Sequence, residues 1–219
     1  MVKMSLEIAL GKILELEGKK IGEIGSPDLV NKGAVGQIVE RRIGINLSSD
    51  LLDFEDGELK SNKFLRGNPA ETLAVTQVGH ILPEIEGEIS WPNSTILKKI
   101  SSFVFLPIHK DEPNPSDWLI GRAVHFSKES YPTQYKSLGE DYLSIARQIK
   151  LVIENNGELH TINGPNQYLQ IRTKDSKDKS GNYHPIKYNG VVLSNKNYAF
   201  YIRPGFLNSV LNKEKMDKQ

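Results

Sequence analysis

The chain has 219 residues, of which 38% are hydrophobic and 25% charged, and its formal net charge is +1. That is enough for one large domain or two small lobes around a real core. Cysteine is absent, which excludes disulfides, thiolate metal sites and cysteine nucleophiles; no apolar run approaches the roughly 20 residues that cross a bilayer. In chain order, "SLEIALGKILEL" sets apolar residues at helical spacing behind Ser5 as a cap. Glu7 and Lys12 fall inside that pattern, so the N-terminus predicts an amphipathic helix, not a secretory signal, and a cytoplasmic protein. "GKKIGEIGSPD" is a Gly-rich connection broken by Pro27. "NKGAVGQIVERRIGI" predicts a second helix, capped by Asn31 and striped by Val35, Ile38, Val39 and Ile43. "ETLAVTQVG" has the β-branched content of a strand. "NSTILKKISS" predicts a short helix running into a buried strand, "FVFLPI", and "WLIGRAVHFS" predicts another strand. In the next segment Leu138, Tyr142, Ile145, Ile149 and Ile153 recur at helical spacing, and Asn155-Asn156-Gly157 ends the helix. "NQYLQIRTK" reads as a strand, "DSKDKSGNYHPIKYNG" as a polar basic loop, and "NYAFYIRPGFLNSVLNK" as a strand followed by a short helix. Strands alternating with helices predict an α/β or α+β domain with a mixed central sheet.

The small net charge hides an asymmetry. Residues 50–90 carry nine acids against three bases, and residues 168–219 carry ten bases against four acids. An acidic segment with a basic one suits a metal site next to a polyanion-binding surface. The acids concentrate in "DFEDGELKSNKF" (53–64). If "GELKS" is a strand, alternation points Glu58 and Lys60 to one face, and Asp53 precedes them across a turn marked by Gly57. That pattern brings an Asp and a Glu to one cation with a lysine beside both. Mg²⁺ prefers oxygen ligands and commonly sits on one or two carboxylates plus phosphate and water. In phosphodiester hydrolysis such an ion polarises the phosphoryl oxygen and activates water, and an ammonium stabilises the charge that grows. The competing reading is a solvated acidic turn. An EF-hand frame fails, because the position five before Gly57 is Leu52. A glycosidase pair fits poorly with a lysine among the acids.

Three blocks in order resemble the MutH family of DNA endonucleases: "KGAVGQIVE" (32–40), "DFEDGELKSN", and "GPNQYLQIRTK" (164–174) followed by "NYAFYIRPGFLNSVL" (197–211). They look like the family's Lys-Gly-x-Val-Gly helix, its Asp…Glu-x-Lys motif, and its C-terminal strand, recognition loop and last helix. The stretch from about 80 to 130 matches poorly. The resemblance implies a restriction-endonuclease-like α/β core, a mixed sheet flanked by helices, with two arms around a DNA cleft. It divides the single nuclease domain at about residue 110, with residues 1–110 a catalytic arm and 111–219 a DNA-recognition arm. It implies Asp53 and Glu58 as metal ligands, Lys60 as catalytic lysine and Glu40 as the acid completing the metal shell. Lys32 would contact phosphate, Arg172 and Lys174 would lie on the DNA-facing edge, and Tyr201 would sit near the adenine of the site. The gap from Asp53 to Glu58 is shorter than in MutH itself and looks more like the restriction enzyme MvaI, so Asp50 and Asp56 remain rivals to Asp53.

The expected activity is Mg²⁺-dependent, sequence-specific hydrolysis of double-stranded DNA leaving a 5′-phosphate, with Mn²⁺ able to substitute. The match in "KSGNYHPIKYNGVVLSNKNYAFYI" inclines the reading to a type II restriction enzyme, GATC being the site by resemblance. The alternatives are a mismatch-repair nickase activated by partner proteins, or a catalytically inactive DNA-binding module; the second should have lost an acid or the lysine, and all are present. One active site cuts one strand, so a double-strand break needs a transient homodimer on DNA or two successive binding events. Two further features have bland readings. From spacing alone, Glu40 is a surface acid paired with Arg41, and Lys98 and Lys99 are a solvated helix face. The loop 173–190, with Lys174, Lys177, Lys179, His184 and Lys187 around Tyr183 and Tyr188, suits phosphate contacts or is a disordered surface loop. The five histidines show no zinc spacing.

Overall fold

The computed structural model describes residues 3–26, 34–45 and 52–216. Pro27, Asn31, Lys32 and Asp50, named above, lie outside them. In chain order the elements are α1 (Leu6–Leu14), α2 (Ile21–Ile24), α3 (Ala34–Ile43), β1 (Glu58–Leu65), β2 (Asn68–Pro69), β3 (Leu73–Gln77), α4 (Leu82–Glu86), α5 (Thr95–Ile100) and β4 (Ser102–His109). They continue as β5 (Leu119–Ile120), β6 (Val124–Ser127), α6 (Pro132–Glu154), β7 (Ile162–Asn163), β8 (Leu169–Thr173), β9 (Ile186–Tyr188), β10 (Val191–Ser194), β11 (Tyr198–Ile202) and α7 (Pro204–Met216). Among the described residues no helix is long and apolar enough to cross a membrane. The chain divides into two compact units: residues 1–71 with 99–130, and residues 72–98 with 131–219.

The first unit is built on a mixed sheet flanked by helices. β1 and β4 run parallel, in register from Glu58 opposite Phe103 to Phe64 opposite His109. β2 joins β1, and β5 and β6 join β4, all antiparallel. The parallel pair needs a long crossover, and the chain makes it through the second unit, leaving after Glu71 and returning at Lys99. One sheet face buries Leu59, Val104 and Leu106 against Leu6, Ala9 and Ile13 of α1 and Val35, Ile38 and Val39 of α3. Ser5 caps α1 as expected, accepting the Ile8 N–H at 3.4 Å. The other face carries aromatic packing: Phe126 meets Phe103 and Phe105 with ring centroids 5.0 and 5.5 Å away. "WLIGRAVHFS" is not one strand but two, β5 and β6, on the same partner. β4 has Pro107 opposite the gap, and a proline has no N–H for the ladder; Gly121 donates to the Pro107 carbonyl at 2.8 Å and the chain steps away.

The second unit is an antiparallel sheet in the order β3-β11-β8-β7. β11 is buried along its whole length. α6 presents the anticipated stripe, with Leu138, Tyr142, Ile145 and Ile149 fully buried. Tyr142 packs its ring near Trp91 and Phe200 and donates its hydroxyl to Glu84 Oε1 at 2.6 Å. Gly139 lets Trp91 approach, since a Cβ there would fall 2.6 Å from the indole Cδ1. Part of the expected basic loop is instead a hairpin, β9–β10, turning at Asn189 and Gly190 with φ of 49° and 80°. Two successive positive φ values are what the tight hairpin turn demands and what Asn-Gly tolerates.

Candidate active site

The acidic cluster sorts into four different roles. Its core is a tight turn in which Phe54 donates its N–H to the Gly57 carbonyl at 2.9 Å, with the Phe54 side chain buried beneath. Gly57 is required by closeness: a Cβ there would lie 2.8 Å from the Ser102 carbonyl oxygen. Asp56 accepts the Leu6 N–H at 2.7 Å, so this acid serves the free amide groups and positive end of α1. Glu55 is exposed. Asp53 accepts the Leu59 N–H at 2.9 Å, which folds the Asp back beside the start of β1. Of the three rivals, Asp53 is brought to β1, Asp56 is committed to a helix end, and Asp50 lies outside the described residues.

Glu58 opens β1 and is only 3% exposed. A buried carboxylate needs a positive partner, and it has two. Lys60, on the same strand face, forms an ion pair with Oε2, and Lys99 lies 3.5 Å from Oε1. Both lysines keep about a fifth of their side chains exposed (21% and 19%). The Lys99 contact replaces the expectation of a solvated helix face. The parallel pairing of β1 with β4 puts the residues just before β4 at the start of β1, where Glu58 is. Glu58 Oε2 is fully buried, and among the described residues the partner shown for it is the Lys60 ammonium.

Glu40 also leaves the bland reading behind. α3 lies close on β1 because Gly36 faces Ser61, where a Cβ would come within 3.2 Å of Ser61 Oγ; Glu40 Oε1 is the next nearest atom, at 3.8 Å. Burial, and then the negative charge of Asp53, push the Glu40 carboxyl above the usual carboxylate range, with Lys60 and Arg41 opposing. Glu40 and Asp53 thus repel one another beside Lys60, the situation that a divalent cation relieves.

The donors are all hard oxygens, and the buried carboxylate among them is held by lysine ammoniums alone among the partners shown; in chemistry the set fits Mg²⁺ or Mn²⁺. Among the described residues no three His, Asp or Glu side chains already form a metal-holding group. Mg²⁺ does not demand one, since it ordinarily keeps several waters and takes one or two carboxylates together with substrate phosphate. A Ser/His pair also occurs, with Ser102 Oγ 2.8 Å from His125 Nε2. The acid nearest in charge, Asp56, is bound to α1, so no oriented triad results.

In the second unit Arg172 lies on β8 opposite Ala199 of β11. Its guanidinium stacks 4.6 Å from the centre of the Tyr201 ring and donates to Thr72 Oγ1 at 2.8 Å. Tyr201 is 7% exposed, and burial pushes its hydroxyl pKa up while Arg172 pulls it down. Lys174 is exposed and ties its N–H to the Asn197 carbonyl at 2.8 Å. Arg172 and Lys174 therefore lie toward the Thr173 end of the β8–β11 pair, and Tyr201, opposite Gln170, lies toward the other end, met by the Arg172 side chain. Lys32, the expected phosphate contact, falls outside the described residues.

No family model matches the chain. Individual proteins do. The chain is 29% identical to the DNA mismatch repair protein MutH of Haemophilus ducreyi over 219 aligned residues, spanning 92% of this chain and 91% of the relative. It is 30% identical to the MutH of Buchnera aphidicola subsp. Baizongia pistaciae, over 84% of this chain and 83% of the relative. The MutH of Shewanella woodyi is 27% identical over 84% of this chain and 77% of its own length. Likeness of that extent, end to end rather than confined to a motif, establishes that the chain belongs to the MutH family of DNA endonucleases.

Proposed function

We propose that the chain is a strand-nicking DNA endonuclease of mismatch repair that depends on a divalent metal ion. The observation that carries this reading is Glu58, a buried carboxylate whose two oxygens are held by lysine ammoniums, Lys60 on one and Lys99 on the other. The relatives shift the balance between the two enzymatic readings. The sequence inclined to a restriction enzyme, but all three relatives are named as mismatch-repair proteins. A type II restriction activity at GATC is the second reading, favoured by the short spacing from Asp53 to Glu58.

In this mechanism Asp53 and Glu58 would hold the ion, and Glu40 would complete its shell. When bound, Mg²⁺ would supply Lewis-acid polarisation of the phosphoryl oxygen and a lowered water pKa. Lys60 would turn from Glu58 toward the attacking water and stabilise the charge growing on the phosphorane oxygens. Lys99, on the other oxygen of Glu58, adds a second positive charge facing the phosphate. Arg172 and Lys174 bind the DNA backbone, Lys32 contacts phosphate, and Tyr201 lies near a base of the site. A single set of these groups cuts one strand per binding event.

Pure protein incubated with supercoiled plasmid and Mg²⁺ tests the proposal. Slow nicking, accelerated by mismatch-repair partner proteins and abolished by EDTA, is the expected result. Efficient double-strand cutting by the protein alone would favour the restriction reading. Undiminished cutting by Glu58→Ala would reject the site.

A further inference from the structure

One carboxylate holds together the polar loop between β8 and β9. The Asp175 side chain is only 3% exposed although the loop around it faces solvent. Its Oδ1 accepts from the Ser176 N–H at 2.9 Å and meets His184 Nδ1 at 2.8 Å. Its Oδ2 accepts from the backbone N–H groups of His184, at 2.9 Å, and Asn197, at 2.8 Å. Three distant points of the chain meet there: the exit of β8, the far end of the loop, and the turn before β11. Asn197 is anchored in turn, its side-chain amide donating to Gln77 Oε1 of β3 at 2.8 Å. Inside the loop, Asp178 Oδ1 accepts the N–H groups of Ser180 and Asn182. The Tyr183 ring lies between two ammonium groups, with Lys196 Nζ 4.8 Å and Lys177 Nζ 5.6 Å from its centre. The loop is therefore built, not a slack tether, and its lysines 174, 177 and 179 are exposed.

We propose that Asp175 and His184 form a latch, closed by a proton on the imidazole, that shapes this loop for nucleic-acid phosphate and makes DNA binding tighten as pH falls. The DNA half of the inference rests on the nuclease reading above; the latch itself does not. His184 is the one side chain of the loop that changes charge near neutrality. When neutral, its Nδ1–H can still donate to Asp175, but the ion pair is gone and one positive charge leaves the DNA-facing loop. The negative groups facing the ring are Asp175 and, further off, Asp178. Lys177 and Lys196 sit against the neighbouring Tyr183 ring.

The signs agree with that direction. Hydrogen bonding to Asp175 and the charge of Asp175 hold His184 above the usual imidazole range, against its desolvation. Burial pushes the Asp175 carboxyl up, but hydrogen bonds from the Asn197 N–H, the His184 ring, and the His184 and Ser176 N–H groups outweigh it and bring it down to about 2. A raised histidine contributes fully below its unfolded pKa and is lost as pH rises through the folded value. A depressed carboxylate contributes above its unfolded pKa and is lost as pH falls through the folded value. The latch is therefore closed on the mildly acidic side of neutrality and opens toward alkaline pH.

The test has two readouts. The first follows the His184 ring by NMR across pH in the wild type and in Asp175→Asn. The second follows the anisotropy of a fluorescein-labelled DNA duplex, in EDTA and at fixed ionic strength, from about pH 5.5 to about 8.5. The comparison there is wild type against His184→Gln, an exposed position. We expect His184 to titrate above ordinary histidine and Asp175→Asn to bring it down. We expect the wild-type Kd to rise about threefold to tenfold more than that of His184→Gln over the range. A ring that titrates normally and ignores Asp175→Asn overturns the latch. A His184→Gln protein that keeps the wild-type pH slope overturns its role in binding. A wild type that binds no duplex at any pH overturns the nuclease reading as well, while the ring titration still passes or fails the latch.

Discussion

Two buried carboxylates, one in each unit, are satisfied in opposite ways. Asp141 on α6 is fully buried, yet every need of its oxygens is met by backbone: Oδ1 accepts from Asn166 N–H at 2.6 Å, and Oδ2 from Tyr168 and Leu169 N–H at 2.8 Å each. Gly164 stands against it because no Cβ could fit there. Glu58 is nearly as deeply buried, but the partners shown for it among the described residues are two lysine ammoniums, Lys60 on one oxygen and Lys99 on the other. Fixed amide partners hold a loop in place. Exchangeable cationic partners leave a carboxylate free to change what it binds. Burial alone, then, does not mark a site; the kind of partner does.

The sharpest way to break this contrast is to remove each acid. Glu58→Gln should lower cleavage at least about 100-fold while duplex binding stays within severalfold and the melting temperature moves little. Asp141→Ala should do the reverse. It strands three N–H groups, that of buried Leu169 among them, and should destabilise the protein by about 3 kcal/mol, read by urea unfolding, with cleavage per folded molecule retained. Equal losses of stability in the two variants would erase the distinction.

A smaller effect should follow at Lys99. Lys99→Ala leaves Glu58 with Lys60 as its ion-pair partner and should slow nicking about tenfold, measured as single-turnover rate on plasmid. An unchanged rate would return Lys99 to the solvated helix face that its sequence context suggested.

The smallest effect concerns Glu40. Its pKa is raised, so the folded protein binds a proton there that the unfolded chain has already released, and stability falls as pH rises through that window. Glu40→Gln should therefore raise the melting temperature of metal-free protein at neutral pH by about 1–3 °C, while weakening Mn²⁺ binding in calorimetry. In the wild type, Mn²⁺ affinity should climb with pH through the raised value, because the ion and the proton compete for one carboxylate. A pH-independent Mn²⁺ affinity would take Glu40 out of the metal shell.

What the sequence revealed follows the range of each interaction. Glu58 and Lys60 on one face, the stripe of α3 and the stripe of α6 rest on periods of two and 3.6 residues, and these are local. The different partners of Asp53 and Asp56 were not legible, because Asp56 is claimed by Leu6, some fifty residues away, while Asp53 turns back to β1. Lys99 was misread for the same reason: its place beside Glu58 depends on the parallel register of β1 and β4. The break between β5 and β6 was set by Pro107 on the partner strand. The hairpin at Asn189-Gly190 is different, since its signal is local and explicit and was covered by the polarity of the surrounding loop. Asp175 resembles Asp56: a carboxylate in a charge-rich segment whose partner, Asn197, lies over twenty residues away.

The most direct test of the account is a crystal soaked in Mn²⁺, with anomalous scattering recorded at the first unit. The account predicts a peak bonded to Glu58 and Asp53, with Glu40 turned toward it and the Lys60 ammonium displaced from Glu58. Lys60 still paired with Glu58, and no anomalous density between the two acids at saturating Mn²⁺, would contradict it.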